Sequence, residues 1–152
     1  MNQVYEILDG IRDHFRNNEI TETVSFGELN LTDADKTTVF PLAHIDIGEL
    51  TYDVGVAVFK IRVLVLDNLK VNKAVESVDE FWGNDDLHDV YNTQFIVITQ
   101  LINSLRRGDL YESGIRLYEE PTVQPFEDRF GNMLAGWLTE IDIQIKNDIS
   151  VC

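Results

Sequence analysis

GNMLAGWLTEIDIQIKND, residues 131–148, opens apolar and then alternates strictly until the chain is nearly finished. Successive side chains of an extended strand point to opposite faces. The alternation therefore puts Trp137, Thr139, Ile141, Ile143 and Ile145 on one face, and Leu138, Glu140, Asp142, Gln144 and Lys146 on the other. One long strand is predicted, with its first face forming a wall of the core and its second left for water or a neighbour.

A second run with the same period lies upstream. GVAVFKIRVLVLD, residues 55–67, sets Ala57, Phe59, Ile61, Val63 and Val65 against Val56, Val58, Lys60, Arg62, Leu64 and Leu66. Its second face is too apolar for plain solvent, so Val56, Val58, Leu64 and Leu66 are candidates for a subunit interface, with cover by a helix as the alternative. VFPLAHIDIGEL, residues 39–50, is a half-buried strand with Ala43, Ile45 and Ile47 facing inward and His44 and Asp46 outward, and GELTYDVG supplies a hairpin between these two runs. TETVSFGELNL, residues 21–31, reads as a short strand, followed by the polar turn TDADK.

Helical spacing appears twice. Val4, Leu8, Ile11 and Phe15, widened by Tyr5 and Ile7, predict an N-terminal helix; Leu87, Tyr91, Phe95, Ile98, Ile102 and Leu105 predict a second that covers the sheet. Asp85 and Asp86 mark its start, and Arg106-Arg107-Gly108 its end, with Gly108 suited to the left-handed position just beyond. IRLYEEPTVQPFEDRF, residues 115–130, reads as one broken strand whose Pro121 and Pro125 belong at an edge or bend. The order α, β, β, β, α, β, β predicts one α+β domain over residues 1–152, a mainly antiparallel sheet packed against two main helices.

Composition narrows the partners. With 12 Lys+Arg against 27 Asp+Glu, the formal charge is -15. Such a chain repels polyphosphate and anionic lipid, which argues against sequence-specific nucleic-acid binding and against a membrane partner. The opening residues mix charge with apolar side chains, unlike a signal peptide, so a cytosolic site of synthesis and action is expected. The lone Cys152 offers neither a disulfide within the chain nor a cysteine metal cage.

Motifs for catalysis are missing from the sequence: there is no GxxxxGK followed by Ser or Thr, no GxGxxG, no HExxH and no GxSxG. His44 and Asp46 share one strand face and, with Glu49 or Asp53, are the residues on which a small metal-dependent hydrolase would rest; the alternative is a solvated polar face. TDADK starts like a calcium loop, but Thr38 occupies its sixth position and no Glu its twelfth, so it is a turn. Glu76, Asp79, Glu80, Asp85 and Asp86 gather in an aperiodic segment as solvated or lumen-facing acids, with a divalent-ion site as the alternative. Phe81 and Trp82, embedded among them, either plug the core locally or anchor a partner, the latter being the mark of a small acidic binding module. No cofactor and no catalysis are expected.

VQPFEDRFGNMLAGWLTEIDIQIKNDISVC, residues 123–152, resembles the ending of bacteriophage tail-terminator or tail-completion proteins, in a Pro-Phe turn, an Asn, a Gly-Trp and a long alternating strand. The order of elements and the length of the chain are similar to that family's in outline. The resemblance implies a virion structural protein that forms a ring, most often of six copies, at the head-proximal end of the tail tube or in the neck. Its partners would be copies of itself, the tail tube protein and the head-tail connector, with DNA passing non-specifically through the lumen. Glu140 and Asp142 would then face that lumen, a neighbouring subunit or water.

Overall fold

A computed structural model describes residues 3–27, 39–69, 87–128 and 133–146. The chain forms α1 (Gln3–Arg16), β1 (Thr23–Phe26), β2 (Leu42–Asp53), β3 (Val56–Asn68), α2 (Leu87–Arg107), the single turn α3 (Asp109–Glu112), β4 (Arg116–Leu117), β5 (Thr122–Asp128) and β6 (Leu134–Lys146). This is an α+β fold with a mixed, mostly antiparallel sheet of six strands. The strand order is β1-β2-β3-β6, after which β4 and β5 share the far side of β6.

The two long alternating runs pair with each other. β3 and β6 are antiparallel from Val56 opposite Lys146 to Asn68 opposite Leu134. This register stacks Phe59 on Ile143, Ile61 on Ile141 and Ala57 on Ile145, and all six are buried in the main core. α1 contributes Ile7, Ile11 and Phe15 to that core, and α2 contributes Val97, Ile98, Leu101 and Leu105. Both helices thus lie on one face of the sheet.

β2 and β3 meet through Val54-Gly55, where Gly55 adopts φ 75° and the Asp53 carboxylate accepts from Val54 N–H at 2.7 Å. The hairpin carries a bulge between Ile47 and Leu50. Past it the outer half of β2 is exposed, including Leu50 and Tyr52, as is Val54 in the turn, at 96%.

Four sequence expectations are corrected. The stripe buried by α2 is Val90, Gln94, Val97, Ile98, Leu101 and Leu105, rotated from the predicted one, and Phe95 is 53% exposed. Val4 and Tyr5 of α1 are exposed as well. Gly108 has φ -107°, so it is not left-handed; it is needed because a Cβ there would lie 2.8 Å from Ser104 Cα. The predicted broken strand is two strands, β4 and β5, both paired to β6, with Pro121 between them and Pro125 in the outer strand. β1 also runs parallel to β2, an exception to the antiparallel rule of the sheet.

Two positions set the tightness of this packing. A Cβ on Gly136 would stand 1.7 Å from the Val65 carbonyl oxygen, so β6 approaches β3 more closely there than any other residue permits. Gly136→Ala should lower unfolding free energy by about 1–3 kcal/mol or more, read from urea midpoints; an unchanged midpoint would refute the close approach. Gln94 is 1% exposed, and neither its Oε1 nor its Nε2 has a hydrogen-bond partner among the described residues. Gln94→Met removes two unfulfilled polar atoms at similar volume and should stabilise by about 1–3 kcal/mol in the same assay; destabilisation would mean the amide does have a partner.

Candidate functional site

With both helices on one side, the opposite face of the sheet is where exposed polar chemistry collects. At its β1 end, Leu42, His44 and Asp46 project from β2 beside Leu66, Leu64 and Arg62 of β3. The interface expected from Val56, Val58, Leu64 and Leu66 is corrected here. Leu66 and Leu64 are buried with Leu134 under Phe40, Phe126 and Leu138; Val58 is buried too, and Val56 is half-buried. Among the described residues the cover comes from loop and strand side chains of the same chain.

His44 is held from both ring nitrogens. Nε2 lies 2.5 Å from the Gly27 carbonyl, which only accepts, so Nε2 carries the proton; Nδ1 at 2.7 Å then accepts from the Ser25 hydroxyl. Burial lowers its pKa below 6.5, against the opposing pull of the Gly27 carbonyl and Asp46. Asp46 is paired with Arg62 at 2.5 Å. His44 and Asp46 are therefore both engaged in local structure, and among the described residues no group of three or more His, Cys, Asp or Glu could hold a metal.

Further along the face, Lys60 stands opposite Asp142, and Arg62 opposite Glu140. Glu140 is exposed and Asp142 half-buried, so the two predicted acids of the last strand do face outward. Tyr118, just after β4, crosses this surface: its N–H donates to the Asp142 carbonyl at 2.8 Å, and its hydroxyl donates to Asp53 of β2 at 3.1 Å. The Asp53 carboxylate pushes the Tyr118 phenol above its ordinary pKa. Tyr118 closes a cleft of about 250 Å³ lined by Glu49, Thr51, Tyr52, Asp53, Val58, Lys60, Glu119 and Asp142, four of them acids. Sequence reasoning missed Tyr118 because its role depends on β4 pairing with β6; the only local signal was an aromatic in the polar stretch LYEEP.

On the helix side a second cleft, of about 540 Å³, separates the end of α1 from α2. Asn18 Nδ2 donates to Gln100 Oε1 at 2.5 Å across it. His14 lines it, and burial lowers the pKa of its imidazole while Asp109 pulls the other way. Ser104 Oγ, also on its wall, is occupied as an acceptor from Leu110 N–H at 3.3 Å. His14 Nε2 is buried and has no hydrogen-bond partner among the described residues.

Phe81, Trp82, Glu76, Asp79, Glu80, Asp85 and Asp86, together with the TDADK turn, lie outside the described residues. Among the described residues no helix is long and apolar enough to cross a membrane. No protein-family model matches the chain, and no curated protein matches it.

The histidines make stability pH-dependent in a stated direction. Folded His44 and His14 have pKa values below 6.5, so under that pH the unfolded chain binds protons that the folded chain refuses. Their contribution is complete above 6.5 and is lost as pH falls through the lowered folded values. Denaturation midpoints should therefore drop on acidification below 6.5, and His44→Gln should flatten that drop while leaving the share of His14; equal slopes in wild type and variant would count against a buried neutral His44.

Proposed function

We propose that this chain is a virion structural protein of a bacteriophage, a ring of copies at the head-proximal end of the tail tube or in the neck. It stops growth of the tube and joins it to the head connector. The observation that carries this reading is the one-sided sheet: two helices bury one face, and the other presents Glu140, Asp142, Glu49 and Asp53 with Lys60 and Arg62 instead of a reactive centre. A part of this kind needs shape and edges, and no catalysis is required of it.

The charge supports the same reading. A chain at -15 offers no run of cations to clamp phosphates, so DNA threading a lumen lined by such faces would slide without being held. Six or so subunits in a ring need contacts between unlike surfaces, because a two-fold, self-complementary patch stops at a dimer. The two sides of this sheet are unlike: β1 with the uncovered part of β2 flanks one, and β4 with β5 the other.

The test uses particles of the virus that encodes the chain. Immunogold labelling should mark the junction of head and tail, and deletion of the gene should leave filled heads beside unjoined tails whose tubes vary in length. Joined, infectious particles that lack the protein would overturn the proposal.

A further inference from the structure

We propose that the two outer edges of the sheet dock on each other between copies, β2 of one copy against β4 of the next, so that one sheet continues from subunit to subunit. That such a contact closes into a ring rests on the function proposed above; the contact itself rests on register.

Cross-strand pairing fixes the height of each edge residue. Thr51 pairs with Val58, Val58 with Gln144, and Gln144 with Arg116, so Thr51 on one edge and Arg116 on the other occupy one row. The next row runs Leu50, Phe59, Ile143, Leu117. Both edges are open there among the described residues: β1 pairs β2 only as far as Ile45, and β4 ends the strand order. Unpaired edge strands carry unused N–H and C=O groups and are templates for another strand.

Direction agrees with this. β3 is antiparallel to β2, β6 to β3 and β4 to β6. β4 is therefore antiparallel to β2, and a neighbouring copy set beside the first in the same orientation brings its β2 to β4 as an antiparallel pair. The same step repeated uses the same two edges each time, and the twist of a sheet turns it into an arc.

Side chains match layer by layer. On the bare face, exposed Glu49 and Asp53 flank Thr51 on β2, while exposed Arg116 stands in the same row on β4; Glu120, the nearest acid with a partner on that edge, is paired with Arg106. Arg116 is held 4.2 Å over the Tyr111 ring and donates to the Tyr111 carbonyl at 3.3 Å, which aims it in advance. Leu50 and Tyr52 on the β2 edge and Val54 in the turn beyond it are exposed, as is Tyr111 beside the β4 edge, so apolar surface on each side has apolar surface to meet. In a chain this acidic, charge would otherwise drive copies apart; a glutamate-arginine contact at the edges selects this approach over others.

Disulfide capture tests the contact directly. In a Cys152→Ser background, Thr51→Cys and Arg116→Cys lie three strands apart within a chain, about 14 Å, too far for the roughly 7 Å Cα separation that a disulfide tolerates. Mild oxidation of the double variant should give a ladder of covalent oligomers that ends in a closed species, because cross-linking traps the contact even after the guanidinium is lost. Each single-cysteine variant should stop at a dimer. In sedimentation, Glu49→Arg alone and Arg116→Glu alone should each weaken association of the otherwise native chain roughly fivefold, and the two together should restore it. A double-cysteine chain that stays monomeric, or a charge-swapped pair no better than either single variant, overturns the inference. Rings present in virions without this cross-link would sink the edge contact and leave the proposed function standing; cross-linked rings absent from virions would do the reverse.

Discussion

The antiparallel pairing of β3 with β6 is the constraint on which everything else hangs. Thirteen residues of each strand are matched without a slip, from Val56 with Lys146 to Asn68 with Leu134. A shift of β6 by one residue against β3 would carry Ile141 and Ile143 to the bare face and bring Glu140 and Asp142 under the helices. Burying those two charges in an apolar layer costs far more than any turn or cap could recover. The register is therefore decided by both faces at once, and Gly136, pressed on the Val65 carbonyl, adds a steric lock at a single position.

Once that pair is fixed, the two faces follow different rules. The helix side is continuous: buried residues of α1, α2, β2, β3 and β6 share one apolar cluster, with Val24, Leu117 and Val123 of the three other strands packed against it. The other side is divided. Near the β1 end it is closed by Phe40, Phe126 and Leu138 over Leu64 and Leu66, and at the opposite end it is polar, with Tyr118 reaching from the β4 edge to β2. The division explains why residues 56–66 read as apolar on both faces: Leu64 and Leu66 serve a small second core, whereas Lys60 and Arg62, two rows away, serve a charged surface. Alternation detects that a face is apolar; what covers it is set by residues distant in sequence.

This separates what was legible in the sequence from what was not. The faces of β6 and β3 were legible because period two over a dozen residues admits one solution, and the α+β class followed from the order of elements. The buried stripe of α2 was not legible. Leu87, Tyr91, Phe95, Ile98, Ile102 and Leu105 and the true stripe through Val90, Val97 and Leu101 both have helical spacing, and the true one contains the polar Gln94, which sequence logic rejects. Likewise the His44 site could be named but not interpreted: its bonds to Ser25 and Gly27 arise from β1 lying parallel to β2, a pairing that no local pattern encodes. Tyr118 and Arg116 escaped notice because strand β4 is two residues long and carries no period.

The edges are the last consequence of the same pairing. Because β3 and β6 are both central and both long, each must be flanked, and the chain flanks them incompletely: β1 covers only the first four residues of β2, and β4 with β5 cover β6 in two short pieces. A free-standing protein blunts such edges with prolines, bulges or charges. This chain does so selectively. Pro125 sits in β5, but on β2 the bulge falls between Ile47 and Leu50, and beyond it Leu50, Tyr52 and Val54 remain exposed. The β4 edge places Arg116 in the row of Thr51, between the heights of Glu49 and Asp53. The free part of β2 thus carries charge and a bulge but no proline, and its charge, height and strand direction are those that the proposed contact with β4 of another copy uses.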